Sequence, residues 1–327
     1  MARIIILTDK NYLEPAFVTV LSVCKKKLTT ENLTLIYLEG PEDEKKIDFE
    51  NIELIKKFVE ITKNTYPNTN FNSITLNSKY FSHFEKYHFN RSNLQKLVFA
   101  EIFKNEEICL SVDAGMILGD EFKKIIQEVN NDSNFTVKAF TQKSDALLTN
   151  SQLKKYHHDL YPAGGILAFN NWKFKESNLL NRLLVNFDNY KTDLIYPEQD
   201  LMCMTLTENE LVNFRSDYTF YNLDMALGDN WGKDKIQNYE NIYISGKYLY
   251  MKHIGLFKPW LKWVLNPLKS IYLNEISIAS DCYSIFNETL LRSKHIYFNE
   301  NVSKFLVPQL DLLEKYCSIT ESSPEKS

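Results

Sequence analysis

Four short segments of the sequence carry residue types that could bind a ligand or take part in a reaction. Two apolar runs end at an acid: RIIILT is followed by Asp9, and ICLSVD ends at Asp113, which Ala114 and Gly115 follow. A carboxylate at the end of a strand can hold a cation or a ligand hydroxyl, although an isolated one more often caps the next turn. Ligands of open α/β sheets bind at the carboxyl ends of the strands, so the two acids mark a candidate site.

The second and third segments are YPAGGILAFN and PEQDL. Gly164 and Gly165 stand directly before an apolar run, so they either form a turn or let the backbone approach a ligand closely. Glu198, Gln199 and Asp200 follow a proline at the predicted start of a helix. Acidic side chains there complement the helix dipole, which accounts for Glu198 and Asp200 but not for Gln199.

The fourth segment is KHIGLFKPW. His253 ends a predicted strand, Gly255 breaks it, and Lys258 follows with a proline and a tryptophan. Histidine can ligate a metal or bind phosphate oxygens, and lysine attracts phosphate as a point charge. A single histidine on an apolar face is more often structural, whereas this combination of residues at this spacing is more specific.

The elements around these segments alternate between strands and helices. The first part of the chain predicts strands at 3–8, 33–38 and 57–62 (KFVEIT), with helices at 14–27 and 43–58 between them. This alternation predicts an α/β domain with a parallel sheet. The polar residues that follow are predicted to form a loop at 64–80. The later predicted elements are helices at 92–104, 120–129, 174–190 and 197–207, and strands at 108–113, 135–141, 165–170, 211–215 and 248–254.

The last part of the chain has a different pattern. From Pro259 onward, aromatic-rich helices are predicted without clear strands, and the closing TESSPEKS is typical of a disordered tail. The expected organisation is therefore a main domain at 1–260, a helical extension at 261–318 and a tail at 319–327.

Composition narrows the classes of protein. With 38 basic and 42 acidic residues the formal net charge is -4, which argues against a whole-surface nucleic-acid binder, because such proteins carry a strong basic excess. The chain has 9 glycines, where average usage would give about 23. It contains neither G-x-G-x-x-G nor G-x-x-x-x-G-K-[ST], which argues against classical dinucleotide and P-loop sites.

Cysteine usage and hydropathy indicate the cellular compartment in which the protein is expected. The 5 cysteines form no C-x-x-C pair, which predicts reduced, mostly buried thiols in a reducing compartment and no zinc ribbon. The apolar run near the N-terminus is too short for a signal peptide, and no apolar stretch reaches about 18 residues, so no membrane span is expected. A cytoplasmic location follows as the expectation.

Taken in order, the four segments and the opening LTDKNYLEPAFVTVLSV resemble glycosyltransferase family 8. This is a retaining family of GT-A fold that includes bacterial lipopolysaccharide galactosyl- and glucosyltransferases and glycogenin. The resemblance covers roughly residues 3–260. It implies a Rossmann-like, mostly parallel sheet, a UDP-hexose donor, a saccharide or glycolipid acceptor, and Mn²⁺ or Mg²⁺ as the ion.

The resemblance implies that the opening segment holds the nucleotide. The uracil and ribose would contact Thr8, Asp9, Asn11 and Tyr12, with Tyr12 stacked on the base. Lys96, in NLQKLVFAE, occupies the place of an arginine that the family offers to the donor.

The other implied roles surround the reacting atoms. His253 would ligate the metal with Asp113, while Gly255 and Lys258 would contact the diphosphate. Gln199 would lie near the reacting anomeric carbon, with the acids on either side of it on sugar hydroxyls. Gln199, Asp113 and Lys258 are thus the predicted catalytic residues. The alanine after Asp113 and the paired glycines complete the predicted donor-binding residues.

Several positions depart from the family pattern. The Asp-x-Asp metal motif reads Asp113-Ala114-Gly115, so one carboxylate is missing, and a divalent ion that prefers several oxygen ligands would be held less tightly. His253 stands one residue closer to its glycine than in the family, and the family's Asn-Ala-Gly or Asn-Ser-Gly appears as Ala-Gly-Gly. These changes imply a different donor sugar, metal-independent transfer or loss of activity.

The implied reaction retains the anomeric configuration. Breaking the anomeric C–O bond places negative charge on the diphosphate, which a cation must stabilise. With a weakened metal site, His253, Lys258 and Lys96 are expected to share that task. Double displacement needs a nucleophile on the opposite face, and Gln199 is a poor one, so same-face attack is favoured.

Three further hypotheses stay open. The protein would bind nucleotide sugars or glycans without turnover if the metal site is dead. The tail is similar to translocation signals of some bacterial type IV effectors, in which case the acceptor would be a host molecule. Residues 247–272 carry five lysines and no acid. This segment either docks on an anionic inner membrane or forms a core helix whose lysines are solvated or face the diphosphate.

Overall fold

The computed structural model describes residues 2–9, 12–28, 32–38, 49–76, 94–143, 160–194, 196–215, 217–224, 233–254, 271–272 and 275. Asn11, Gly255 and Lys258 lie outside the described residues, as do most of the predicted extension 261–318 and the whole tail 319–327. No helix in the described ranges is long and apolar enough to cross a membrane.

Strands and helices alternate along the described residues. The strands are β1 (Ala2–Thr8), β2 (Leu33–Leu38), β3 (Phe71–Leu76), β4 (Ile108–Asp113), β5 (Met116–Leu118), β6 (Val137–Lys143), β7 (Leu160–Asn170), β8 (Leu211–Asn213), β9 (Tyr221–Asp224) and β10 (Tyr250–Ile254). The α-helices are α1 (Leu13–Lys25), α2 (Phe49–Thr65), α3 (Phe99–Ile102), α4 (Phe122–Asn131), α5 (Asn171–Glu176), α6 (Leu179–Tyr190), α7 (Pro197–Thr205) and α8 (Lys233–Ser245). A 3-10 helix at Gln95–Val98 leads into α3.

The main sheet contains seven of these strands in the order β3-β2-β1-β4-β7-β6-β8. β3, β2, β1 and β4 run parallel, β7 is antiparallel to both of its neighbours, and β8 is parallel to β6. A mostly parallel sheet with flanking helices confirms the predicted α/β fold. Because β7 runs the other way, its first residues lie at the edge where β1 and β4 end.

The packing of β1 explains why its sequence is apolar throughout. Ile4 and Ile6 are buried in one apolar cluster with residues of α1, while Ile5 and Leu7 are buried in a second cluster. Alternate side chains of a strand point to opposite faces, so the sheet is covered on both sides. A strand that is buried on both faces has a continuous apolar sequence, as RIIILT does.

The third predicted strand is wrong. KFVEIT lies inside α2, and β3 is formed instead by residues predicted as a loop. Leu54, Phe58 and Thr62 are buried on one helix face, and the Phe58 ring stacks on Phe17 with centroids 3.7 Å apart. β3 lies at the edge of the described sheet and pairs with β2, so few of its positions beyond Phe71 need to be apolar.

Other elements differ from the predictions in extent. The predicted helix 174–190 is two helices, α5 and α6, separated by Asn178, whose φ of 51° is left-handed. Within its described residues, the predicted helix 92–104 is shortened to the 3-10 helix and α3. The additional elements β5, β9 and α8 are not indicated by the sequence patterns.

The unpredicted strands belong to a second sheet. β5, β10 and β9 form a three-stranded sheet in that order. β10 is antiparallel to β5, with Lys252 opposite Met116, and parallel to β9. Because β5 follows the end of β4 directly, this pairing sets β10 beside Asp113.

Two residues after the main domain are anchored to α1. The Tyr272 hydroxyl donates to Glu14 Oε1 at 2.9 Å, and Lys25 Nζ lies 3.1 Å from Glu275 Oε1. The Tyr243 hydroxyl donates to the same Glu275 oxygen at 2.5 Å. Tyr272 and Glu275, which belong to the predicted extension 261–318, therefore contact α1 and Tyr243.

Replacing Lys25 by methionine is expected to lower the free energy of unfolding by about 2 kcal/mol. The Glu275 side chain is 1% exposed, so the substitution leaves a buried carboxylate with the Tyr243 hydroxyl but without this counter-charge. Lys25 itself is 34% exposed, which moderates the effect. Urea unfolding measures the change. The control is Lys56→Met, which breaks an exposed pair with Glu53; equal losses in the two variants would contradict the argument.

Candidate active site

The register of the sheet brings the predicted segments to one edge. β1 and β4 are parallel neighbours with Leu7 opposite Asp113, so Asp9 lies next to the end of β4. β7 runs the other way beside β4, with Val112 opposite Ile166. The residues before Ile166, which include the paired glycines, therefore reach the same edge. The two acidic strand ends therefore lie at the same edge of the sheet.

Two lysines hold the Asp113 carboxylate. Lys96 Nζ donates to Oδ1, and Lys252 Nζ donates to Oδ2 at 2.5 Å. Lys96 Nζ also donates to the carbonyl oxygen of Gly164 at 3.0 Å, which ties β7 to the end of β4. The Lys96 side chain is 3% exposed, whereas those of Asp113 and Lys252 are 21% and 23% exposed. We call Lys96, Asp113 and Lys252 the lysine–aspartate cluster; it is closed on the Lys96 side and more open at Lys252.

The ammonium groups set the charge state of Asp113. Burial would raise the pKa of this carboxyl, but the charges of Lys252 and Lys96, with their hydrogen bonds, outweigh burial and hold the pKa below its usual range. Asp113 is therefore ionised at neutral pH. With one carboxylate and two ammonium groups, the cluster carries a net charge of +1.

Gly164 allows α7 to approach β7 closely. A Cβ atom at this position would lie 2.7 Å from Glu198 Oε1 and 3.0 Å from Gln199 Nε2. The paired glycines lie within β7 rather than in a turn, and the close neighbour of Gly164 is the chain's own helix. Since the Gly164 carbonyl binds Lys96, Glu198 and Gln199 lie beside the lysine–aspartate cluster. Burial raises the pKa of Glu198, an effect that the charge of Lys96 partly offsets.

Asp200 is bonded within the protein. Its Oδ1 accepts from the Tyr161 hydroxyl at 2.7 Å and its Oδ2 from the Tyr196 backbone N–H at 2.9 Å. Burial and the Asp200 carboxylate together raise the pKa of Tyr161. These bonds fasten the start of α7 to the start of β7. The implied contact of Asp200 with a sugar hydroxyl stays a prediction.

The residues predicted for the nucleotide form the turn between β1 and α1. The Tyr12 N–H donates to the Asp9 carboxylate at 3.2 Å, and the buried Thr8 hydroxyl donates to the Asp9 carbonyl at 3.0 Å. Burial and the charges of Asp9 and Asp113 raise the pKa of Tyr12. Three of the four predicted residues thus lie together near Asp113, while their contacts with a nucleotide stay predictions.

The described residues do not fit a divalent metal ion. Among them, no group of three or more His, Cys, Asp and Glu side chains could hold one, and both oxygens of Asp113 accept bonds from ammonium groups. Gly115 stands in the place of the family's second aspartate. Its φ is 87°, a backbone conformation that residues with a side chain rarely adopt. His253 lies in β10, and its side chain falls outside the described part of the chain.

Lys252 is a site residue that the sequence patterns did not indicate. The available signal was the spacing in KHIGLFKPW, where His253 stands one residue too close to Gly255. The position at the family spacing is that of Lys252. The pairing of β10 with β5 sets Lys252 beside the residues that follow Asp113.

Solved glycosyltransferase structures share this fold. WbbM, a bifunctional glycosyltransferase, is similar with a TM-score of 0.61 and 15% identity, over 86% of this chain and 51% of its own, so the chain spans about half of that protein. The galactosyltransferase LgtC, solved with donor and acceptor sugar analogues, has a TM-score of 0.59 and 16% identity over 86% and 96%. GlyE of Streptococcus pneumoniae TIGR4 has a TM-score of 0.52 and 14% identity over 88% and 63%. These likenesses concern the fold and confirm the GT-A type.

The family of the chain follows from its sequence rather than from the likeness in fold. No curated protein matches the chain. The glycosyl transferase family 8 model matches residues 3–264, a range that includes every predicted site residue. The match covers most of the chain. It agrees with the mostly parallel sheet and with the candidate site residues that lie together at one edge of that sheet. The chain therefore belongs to glycosyl transferase family 8.

Proposed function

We propose that the protein transfers a hexose from a UDP-sugar to a saccharide or glycolipid acceptor with retention of the anomeric configuration. The observation that supports this most directly is the lysine–aspartate cluster beside Glu198 and Gln199, at the sheet edge of a family 8 chain. Ligands of such sheets bind at this edge. The cluster offers positive charge to a diphosphate, and Gln199 offers an amide beside it.

The proposed reaction breaks the anomeric C–O bond and sends its electron pair to the diphosphate. The acceptor hydroxyl attacks the anomeric carbon on the same face and passes its proton to the leaving diphosphate. Gln199 orients the sugar, because an amide is a poor nucleophile for a covalent intermediate. Lys96 and Lys258 stabilise the developing negative charge, which is commonly the largest contribution to such catalysis.

Turnover of nucleotide sugars tests the proposal. UDP-Glc, UDP-Gal and UDP-GlcNAc are each incubated with the protein and a panel of saccharide acceptors, with and without Mn²⁺, and released UDP is measured. Release that depends on the acceptor is the expected result, and NMR of the product reports its anomeric configuration. No release from any donor, together with no UDP binding by calorimetry, would refute the proposal.

A second function, binding of nucleotide sugars without turnover, is favoured by Gly115 in the place of a metal-binding aspartate. One measurement distinguishes this second function from the transfer reaction. UDP would bind in calorimetry, but no donor would be consumed with any acceptor.

We also propose a cytoplasmic location with contact to the inner membrane face through 247–272, near a lipid-linked acceptor; translocation as an effector is the alternative. Lys252 faces Asp113, which favours the donor-site interpretation for that lysine.

Flotation of the full chain with anionic and neutral liposomes tests the proposed membrane contact of 247–272. Reversing the charges of Lys262 and Lys269 should abolish binding to anionic vesicles. Unchanged flotation would contradict the contact, and a secreted reporter fusion carrying the tail would favour the alternative.

Gly164→Ala is expected to lower kcat for donor turnover about 100-fold, because misplacing a reacting group by about 1 Å has effects of that size. The added Cβ would meet Glu198 Oε1 at 2.7 Å and Gln199 Nε2 at 3.0 Å, so these two side chains must move away from their places beside the lysine–aspartate cluster. Steady-state kinetics measure the loss, with thermal unfolding as the control for folding. A folded variant that keeps more than a third of the wild-type kcat would show that this contact does not position Gln199.

A further inference from the structure

We propose that Lys252 is the resident cation of the donor site and binds the diphosphate of a nucleotide sugar without a divalent metal ion. The inference rests on the proposed function and concerns how its donor is held. It assigns to Lys252, rather than to a metal ion beside Asp113, the positive charge that faces the diphosphate.

The first support is the place of Lys252 in the fold. β10 lies between β5 and β9, and Lys252 pairs with Met116 at the start of β5. The backbone of Lys252 is thus fixed on both sides by a sheet, and its Nζ lies 2.5 Å from Asp113 Oδ2. A cation on a strand is better preorganised than one on a loop, because its backbone is already fixed before ligand binds.

The second support is the difference between the two lysines. Lys96 is 3% exposed and already donates to both Asp113 and Gly164, so it holds the inner side of the cluster. Lys252 is 23% exposed, and among the described residues its Nζ has one hydrogen-bond partner, Asp113. An ammonium group has three N–H donors, so the described residues use one donor of Lys252 and leave two that can bind phosphate oxygens.

The third support is the misfit of a divalent ion. An ion bound to Asp113 would have to displace the ammonium groups and would then be repelled by both of them at short range. Gly115 supplies no second carboxylate, and its φ of 87° disfavours the side chain that could. The net charge of +1 on the cluster is instead suited to an anion such as a diphosphate.

Calorimetric titration with UDP tests the inference on the full chain, once in EDTA and once in MnCl₂. The wild type is expected to bind UDP with a Kd that differs less than threefold between the two conditions. Lys252→Met keeps the length of the side chain but removes its charge, and is expected to weaken binding at least tenfold in EDTA, because a charged hydrogen bond is lost. Lys252→Arg is expected to retain most of the affinity.

Lys247→Met is the matched control, since Lys247 lies three residues before β10 and is exposed. It should bind UDP like the wild type, and thermal unfolding checks that all variants are folded. Wild-type binding that requires Mn²⁺ would overturn the inference and leave the proposed function standing. Equal UDP affinity of Lys252→Met and wild type would also overturn it. Absence of UDP binding by the wild type in both conditions would refute the proposed function and this site together.

Discussion

Asp113→Ala is expected to lower the free energy of unfolding by about 3 kcal/mol, the cost of removing one partner from a buried ion pair. The substitution leaves the ammonium group of Lys96 nearly fully buried without its counter-charge, with the Gly164 carbonyl as its remaining acceptor in the described structure. Lys252 is partly open to solvent and adds less, because water can replace part of what it loses. Urea unfolding at neutral pH measures the change.

Two variants sharpen this measurement. In Asp113→Ala/Lys96→Met the buried charge is removed together with its partner, so part of the lost stability should return, and the cycle gives the coupling energy. Glu53→Ala breaks an exposed ion pair with Lys56 and should stay within about 0.5 kcal/mol of wild type. A loss below about 0.5 kcal/mol for Asp113→Ala would contradict the cluster as described.

The stability that Asp113 contributes has a defined pH window. Its pKa in the folded protein lies below its usual range, so the unfolded chain takes up this proton first as the pH falls. The contribution is therefore complete above the unfolded pKa of about 3.9 and is lost as the pH falls through the folded pKa. The stability difference between wild type and Asp113→Ala should stay constant from neutral pH to about pH 5 and shrink only at lower pH.

The predictable part of the fold is the part that is buried on both faces. β1, β2 and β4 follow from continuous apolar runs, because a central parallel strand has no solvent face to carry polar residues. KFVEIT resembles such a run because it is short and contains the apolar residues Phe58, Val59 and Ile61. Phe58 within it packs on Phe17 as part of a longer helix, a contact that no short window reveals. The strands β5 and β9 are too short for an alternation of apolar and polar residues to be recognised in the sequence.

The site was predictable where strand ends determine it. Asp113 could be located because an apolar run stops at an acid, and Glu198 and Gln199 because a proline opens their helix. Lys252 forms its contact with a residue 139 positions away, and that contact depends on the pairing of two short strands. Within KHIGLFKPW the histidine is the residue type with the more distinctive chemistry, whereas the lysine before it is the residue that contacts Asp113.

Lys96→Met is expected to lower kcat for donor turnover by about 100- to 1000-fold, the usual effect of removing one preorganised group that stabilises developing charge. Lys96 is held by Asp113 and by the Gly164 carbonyl, so its ammonium group needs no reorganisation when the diphosphate becomes more negative. It also acts on Glu198, because its charge partly offsets the rise that burial causes in the pKa of that carboxyl. Steady-state kinetics with the best UDP-sugar donor at saturation measure the loss.

The controls for Lys96→Met separate charge from packing. Lys124→Met removes an exposed lysine that pairs with Glu121 and should leave kcat unchanged. Lys96→Met keeps the apolar part of the side chain, and Asp113 keeps its bond to Lys252. Thermal unfolding shows whether the variant is folded. A folded Lys96→Met variant that keeps more than a tenth of the wild-type kcat would show that the buried ammonium group holds β7 against β4 but does not act on the diphosphate.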